Sequence, residues 1–386
     1  MSHTRRNFIK IMGSSAVIMA ATGAGITTFA LTRTPETALK PWELAGGNNY
    51  KDPRMRALSY GVLAPNPHNR QPWMVDLKTE GEITLYCDLD RLLPATDPFD
   101  RQITIGLGCF LELTQIAASQ DGYSANIQPF PEGFNDKNLD KRPIARIKFQ
   151  KSDDKKADPL FDQIPNRRSN KSPFDTTRPV PADILKTITN AGRTNVTAKS
   201  RNDDAFLTQM RDLTWRAMEL EIKTPYTFQE SVDLMRIGKA EINANPDGLN
   251  LRGPFLEGLN ALGLLTREGM ADPSSSSFQQ GLDMFIPIMN SAMAYLWITT
   301  PGNSRIDQIN VGRSYVRHNL KATELGLAYH PISQTLQEYP EMSGLFDELH
   351  ETVQAGSARV QMLVRLGYGE NIDPSPRWPL DTKVQS

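Results

Sequence analysis

The 386-residue chain carries 43 Lys and Arg against 44 Asp and Glu, and 39% of its residues are hydrophobic. That length and balance describe a folded protein, built as two domains or as one pseudo-symmetric unit, and exclude a disordered chain or one whose net field draws in nucleic acid. Two cysteines, Cys87 and Cys109, exclude a disulfide framework and a cysteine-based zinc site; a single bridge between them stays open, with buried free thiols the expectation.

The first feature in chain order is Thr4-Arg5-Arg6-Asn7-Phe8-Ile9-Lys10, followed by a weakly apolar run over residues 11–30 that contains Gly13, Gly23 and Gly25. It resembles the twin-arginine export signal, S/T-R-R-x-F-x-K. The run is of near-spanning length, yet its Gly, Thr and Ser residues make a poor permanent anchor. Cleavage after Ala30 is therefore the expectation, and an uncleaved anchor the alternative. The resemblance implies a periplasmic address and the twin-arginine translocase as a transient partner. Because that route moves folded proteins, commonly loaded with a cofactor, it also favours a prosthetic group.

A Pro-containing linker is expected near residues 34–41, then a helix over 53–63. Pro65 and Pro67 end it in the loop Ala64-Pro65-Asn66-Pro67-His68-Asn69-Arg70-Gln71-Pro72-Trp73. Alternation predicts strands at 74–77 and 82–87 around a turn at Gly81. Helical spacing returns over 101–119, with Gly106 and Gly108 in its first turns, and a strand at 144–149 closes the first half. A polar linker at 151–158 leads to helices through 185–191 and over 203–221. Residues 224–277, rich in Gly, Pro, Asn and Ser, interrupt the periodicity and are expected to form an inserted lid. Helices are expected again over 289–298 and 311–327, before an extended Pro-rich tail from 371. Gly106-Leu107-Gly108 alone is too little for a dinucleotide-binding fold.

Three short segments carry chemistry. In the first loop, backbone groups that no helix can use, together with the amides of Asn69 and Gln71, suit the edge of a planar heterocycle; the alternative is a structural loop with Trp73 in the core. Arg167, Ser169 and Lys171 place two cations and a hydroxyl close together ahead of a helix start, which suits a phosphate, although the pattern alone favours a solvated basic patch. Arg377 in the tail could add a cation. The third segment, Gly326-Leu327-Ala328-Tyr329-His330-Pro331-Ile332-Ser333-Gln334, ends an apolar helix and frees N–H groups that could face a ring; by itself the pattern favours a plain helix end. The five histidines, His3, His68, His318, His330 and His350, lack metal-ligand spacing, and no metal is expected.

Together these elements resemble the nitroreductase family and its Acg-type branch, over about residues 50–380. APNPHNRQPW at 64–73 is similar to the family's APS-x-x-N-x-QPW loop and RRSNKSPF at 167–174 to its R-x-S-x-R/K signature. HPISQ at 330–334 is similar to the loop facing the flavin, and SPRWP at 375–379 to its C-terminal arginine segment. Asp97 to Gln102 and Ile105 to Gly108 resemble the branch's DPxGRE and GAAL stretches, with Asp100 in place of glycine. The arginine-serine signature follows the QPW loop here, whereas in the ordinary family it precedes it.

The resemblance implies an α+β, nitroreductase-like fold in which two pseudo-symmetric halves, 31–155 and 156–386, imitate the family homodimer. It also implies one FMN between them. Pro65, Asn66, Pro67 and Asn69 would reach it from the first half, and Arg167, Ser169, Lys171, Ser333, Gln334 and Arg377 from the second. The implied function is an oxidoreductase passing hydride or electrons from an unidentified donor to a nitro, quinone or similar conjugated acceptor, with no catalytic acid or base assigned. The alternatives are a flavin-sequestering protein closed by its lid and a cofactor-free interaction protein. The chain is expected as a pseudo-dimeric monomer or a further homodimer.

Overall fold

The computed structural model describes residues 33–152 and 156–385. The expected export signal at 1–30 lies outside the described residues.

The expected linker at 34–41 is instead largely helical, α1 (Glu36–Leu44), with Pro41 inside it. Tertiary contacts override the proline here. The carbonyl of Ala38 accepts from the backbone N–H of Arg377 at 2.9 Å, and the Trp42 indole donates to the carbonyl of Ser375 at 2.8 Å. α2 (Pro53–Gly61) starts as expected, with the Asp52 carboxylate capping the N–H of Arg54 and Pro53 at a position that needs no donor. β1 (Trp73–Asp76) and β2 (Glu82–Cys87) form an antiparallel hairpin whose buried positions alternate. α3 (Arg101–Gln120) is nearly all buried, and Asp97 accepts from the N–H groups of Gln102 and Ile103 at its start. β3 (Tyr123–Pro129) and β4 (Ala145–Lys151) pair antiparallel after it.

The chain then runs through α4 (Ala182–Thr189), β5 (Thr197–Arg201), α5 (Asp204–Lys223), α6 (Pro225–Asp233), β6 (Met235–Ile237) and α7 (Gly238–Ala244). β7 (Leu249–Leu251), α8 (Pro254–Ala261), α9 (Arg267–Ala271) and α10 (Ser276–Met289) follow. It returns to the core as β8 (Ala294–Thr300), α11 (Arg305–Glu324), β9 (Ala328–Pro331), α12 (Ser343–Thr352) and β10 (Arg359–Gly367), and ends in β11 (Val384–Gln385). The helix expected over 289–298 is mostly wrong: α10 stops at Met289 and β8 follows. Every residue of β8 is buried, so it lacks the alternation that identifies a half-exposed strand.

Both main sheets follow one path. In the first, the strand order β1-β2-β4-β3 has α3 between β2 and β3 in sequence; in the second, β5-β8-β10-β9 has α11 between β8 and β9. All these pairings are antiparallel. The α+β class and two-half arrangement expected from the sequence are what the structure has. The halves differ in their connections. Where the first has a turn at Gly81, the second makes an excursion from α5 to α10, and the expected lid is the middle of it.

α3 and α11 meet in the core. Each opens with a buried arginine, Arg101 or Arg305, and two turns later presents a glycine, Gly108 or Gly312, to the other helix. A β-carbon on Gly312 would overlap the carbonyl oxygen of Ile105, and one on Gly108 that of Ile309. The contact is reciprocal, as a two-fold relation between the halves requires.

Candidate functional site

The loop after α2 is held in a strained form. His68, Asn69 and Gln71 have φ of 45°, 51° and 52°, a left-handed cluster of non-glycine residues that persists only where surroundings enforce it. The enforcing contacts are present. Asn66 Oδ1 accepts from the N–H of Gln71 at 2.7 Å. Gly106 lets the loop sit against α3, since a β-carbon there would stand 3.1 Å from Asn66 Cβ and 3.2 Å from Pro67 Cδ. Gln71 Nε2 donates to the carbonyl of Pro246 at 2.7 Å, and its Oε1 accepts from the N–H of Trp378 at 2.9 Å.

Arg167 and Arg377, far apart in the sequence, converge on this loop. Arg167 donates to the carbonyl of Leu63 at 3.0 Å and to Asn319 Oδ1 on α11 at 3.1 Å. Arg377 donates to the carbonyls of Leu63 and Ala64 at 3.2 and 3.1 Å and to Asn69 Oδ1 at 2.6 Å. With Arg168 they surround the Trp42 ring, their guanidinium carbons 5.9, 4.9 and 5.4 Å from its centroid for Arg167, Arg168 and Arg377. None of the three forms an ion pair with a carboxylate among the described residues, and the buried Nε atoms of Arg167 and Arg377 have no hydrogen-bond partner. Burial holds the Arg167 guanidinium down at about 10; burial and then the fields of Arg167 and Arg168 hold Arg377 well below its ordinary value. Asp373 reaches only Arg168, through its field, and three cations gathered without an ion-paired acid cost stability unless an anion joins them.

Lys171 lies on the other side of the signature segment. It forms no hydrogen bond or ion pair among the described residues, and Glu221, His68 and His330 lie within its field. Burial, then Lys171 and Arg70, push the His68 imidazole down to about 4, so it is neutral at pH 7. Gln334 touches this group through Glu221. Ser333 and Gln334 head a single 3-10 turn, Gln334–Leu336, so their backbone N–H groups precede any partner within it. Ser169 has no hydrogen-bond partner among the described residues. Asn66, Pro67, Asn69, Arg167 and Arg377 thus form one assembly and Lys171 and Gln334 a neighbouring one; among the described residues no hydrogen bond ties the Ser169 or Ser333 side chain to either, and the Pro65 ring has none to make.

The excursion covers the loop. The N–H of Gly248 donates to the carbonyl of Asn69 at 3.3 Å, and Ser231 Oγ lies 3.2 Å from His68 Nε2. Glu230 accepts from the N–H groups of Ala95 and Thr96, and Asp247 pairs with Arg91 and Arg236. Sequence reasoning missed Trp42, Asn319 and Glu221, which no spacing connects to the motifs. His68, Asn69 and Gln71, all quoted in the loop motif, are the residues that meet the excursion.

No family model matches the chain. It is 26% identical over 328 residues to a Mycobacterium tuberculosis H37Rv protein named "Putative NAD(P)H nitroreductase Rv3131", spanning 83% of this chain and 87% of that protein. A 157-residue stretch is 30% identical to "Putative NAD(P)H nitroreductase acg" of the same strain, spanning 40% of this chain and 44% of that one. Among solved structures it is similar to the FMN-dependent nitroreductase NfnB from Mycobacterium smegmatis in complex with NADPH. That likeness covers 58% of this chain and 96% of the other at 14% identity, with a TM-score of 0.36.

Proposed function

We propose that this chain is a nitroreductase-type flavoprotein that holds FMN between its halves and serves the transfer of hydride or electrons to a nitro, quinone or similar conjugated acceptor. The observation that carries this reading is the cluster of Arg167, Arg168 and Arg377 around Trp42, none of them ion-paired among the described residues, supplied by the second half and closed against the loop of the first. A phosphate is the anion such a cluster stabilises, and the unpartnered Nε atoms are donors it would engage. Arg167, Arg377 and Ser169 would hold the phosphate end. Pro65, Asn66, Pro67 and Asn69 would lie along the ring from one side, with Lys171, Ser333 and Gln334 from the other. FMN, when bound, supplies the redox chemistry; the chain orients it, keeps His68 neutral and limits access through the excursion. The names of the mycobacterial relatives support the same reading.

Purified protein should be yellow and release FMN on denaturation. Arg167→Ala with Arg377→Ala should weaken FMN binding about a hundredfold or more, measured by fluorescence titration of the apoprotein. A colourless protein that binds no added FMN would sink the proposal. The contacts of Gly248 and Ser231 with the loop favour a second reading, in which the excursion shields the ring and FMN is bound but little used. Anaerobic stopped-flow with NADPH and with a quinol separates the two: fast reduction by either donor removes the second. Export by the twin-arginine route, supported by Thr4 to Lys10, belongs to the same proposal. A periplasmic reporter fused after residue 33 should lose its export when Arg5 and Arg6 become lysine; unchanged export would argue against it.

A further inference from the structure

The motifs assign no proton-handling group to this site, yet a carboxyl stands beside it. Glu221 lies in the last turn of α5, 5% exposed, at the helix end where aligned carbonyls disfavour an anion. It sits against the side-chain amides of Gln334 and Gln337, and its Oε2 is buried without a hydrogen-bond partner among the described residues. The Oε1 atoms of both glutamines and the Tyr339 hydroxyl are buried and unpartnered as well. No lysine or arginine forms an ion pair with Glu221 among the described residues. The charged and titratable groups facing it are Lys171 from the segment before α4, Glu230 from α6, and Tyr339 beyond Gln337. Tyr226 packs edge-on against Tyr339, and His68 and His330 face Lys171. Burial raises the Glu221 carboxyl to about 7, opposed by the two glutamines and Lys171.

We propose that Glu221 is a positioning residue for redox chemistry at this site, taking up a proton from solvent when negative charge arrives beside Lys171 and Gln334. The inference rests on the FMN reading. As an anion, Glu221 offsets the field of Lys171; once protonated, it leaves that cation free to face the added charge. The electrons stay with the cofactor, the proton stays on the carboxyl, and no bond in the chain breaks.

The test is the pH dependence of the reduction potential of the FMN-loaded protein, followed spectroelectrochemically from about pH 6 to about pH 9. The parent chain should take up a larger fraction of a proton per electron pair than Glu221→Gln, while Glu221→Asp should keep the steeper dependence. Infrared spectra of the apoprotein should show a protonated carboxyl band that vanishes near pH 7 and is missing from Glu221→Gln. Identical pH slopes in a yellow parent and a yellow Glu221→Gln would overturn the proposal and leave the FMN reading standing. Failure to bind FMN would remove both, and colour alone tells the two failures apart.

Discussion

β1 and β5 hold the same place in the two sheets, at the edge beyond β2 and β8, and among the described residues only one of them is covered. The C-terminal strand β11 lies parallel to β1, pairing Val384 with Val75 and Gln385 with Asp76. β5 has no such partner among the described residues. Beside it runs an open groove of about 570 Å³ lined by Lys186, Lys199, Arg201 and Trp297. Lys199 and Arg201, exposed on so short a strand, are charges of the kind that disfavour edge-to-edge pairing. The central helices diverge in the same way. α3 contributes one buried acid, Glu112, and α11 answers with Arg313 at 2.8 Å and Arg317 at 3.0 Å, joined by Arg193 at 3.3 Å. A symmetric pair of identical helices would have to carry acid and base on both. Once the halves share a chain, each can specialise, and the difference between them records that freedom.

The glycine crossing is where the halves are still alike, so it should be the most damaging place to disturb. Gly312→Leu drives a side chain into the backbone of α3 and should cost about 5 kcal/mol or leave no soluble protein, read from expression and urea denaturation. A variant within about 1 kcal/mol of the parent would show that the crossing is not the core contact. Next comes the specialised charge. Glu112→Ala leaves the buried Arg313 without its acid, while Arg317 keeps Asp158 at 2.8 Å, and should cost about 3 kcal/mol, whereas Arg193→Ala, on a residue 36% exposed, should cost under about 1 kcal/mol in the same assay. Equal losses would mean the acid serves all three cations alike. The smallest effect tests the edges. Ending the chain at Lys383 removes β11 but keeps the lysine that donates to the carbonyl of Gln71, and should lower stability by about 1 kcal/mol. If such a chain gains no tendency to self-associate, β1 does not need its cover.

Local chemistry made much of this legible. The Asp52-Pro53 start of α2, the alternation in β1 and β2, and the apolar period of α3 are short-range physics written into neighbouring residues. Buried strands were not: β8 read as helix, and β10 went unread although all but its first residue is buried. With both faces covered, hydrophobicity carries no period to distinguish strand from helix. At the site, the motif residues marked the arginines and the loop. They gave no hint of Trp42, whose expected linker is a helix because the tail pairs with it, nor of the left-handed backbone at His68 and Asn69.

The sequence by itself determined the element types with a clear period or cap, the two-half plan through motif order, and the residue kinds fit to meet a phosphate and a planar ring. Tertiary structure alone decided that Arg167 and Arg377 share the Leu63 carbonyl, that Glu221 is buried beside Gln334, and that one sheet edge is covered and the other bare among the described residues. The reason is range. Caps and periodicity act within a few residues, whereas desolvation, charge crowding and strand pairing depend on what distant segments bring to the same few ångströms.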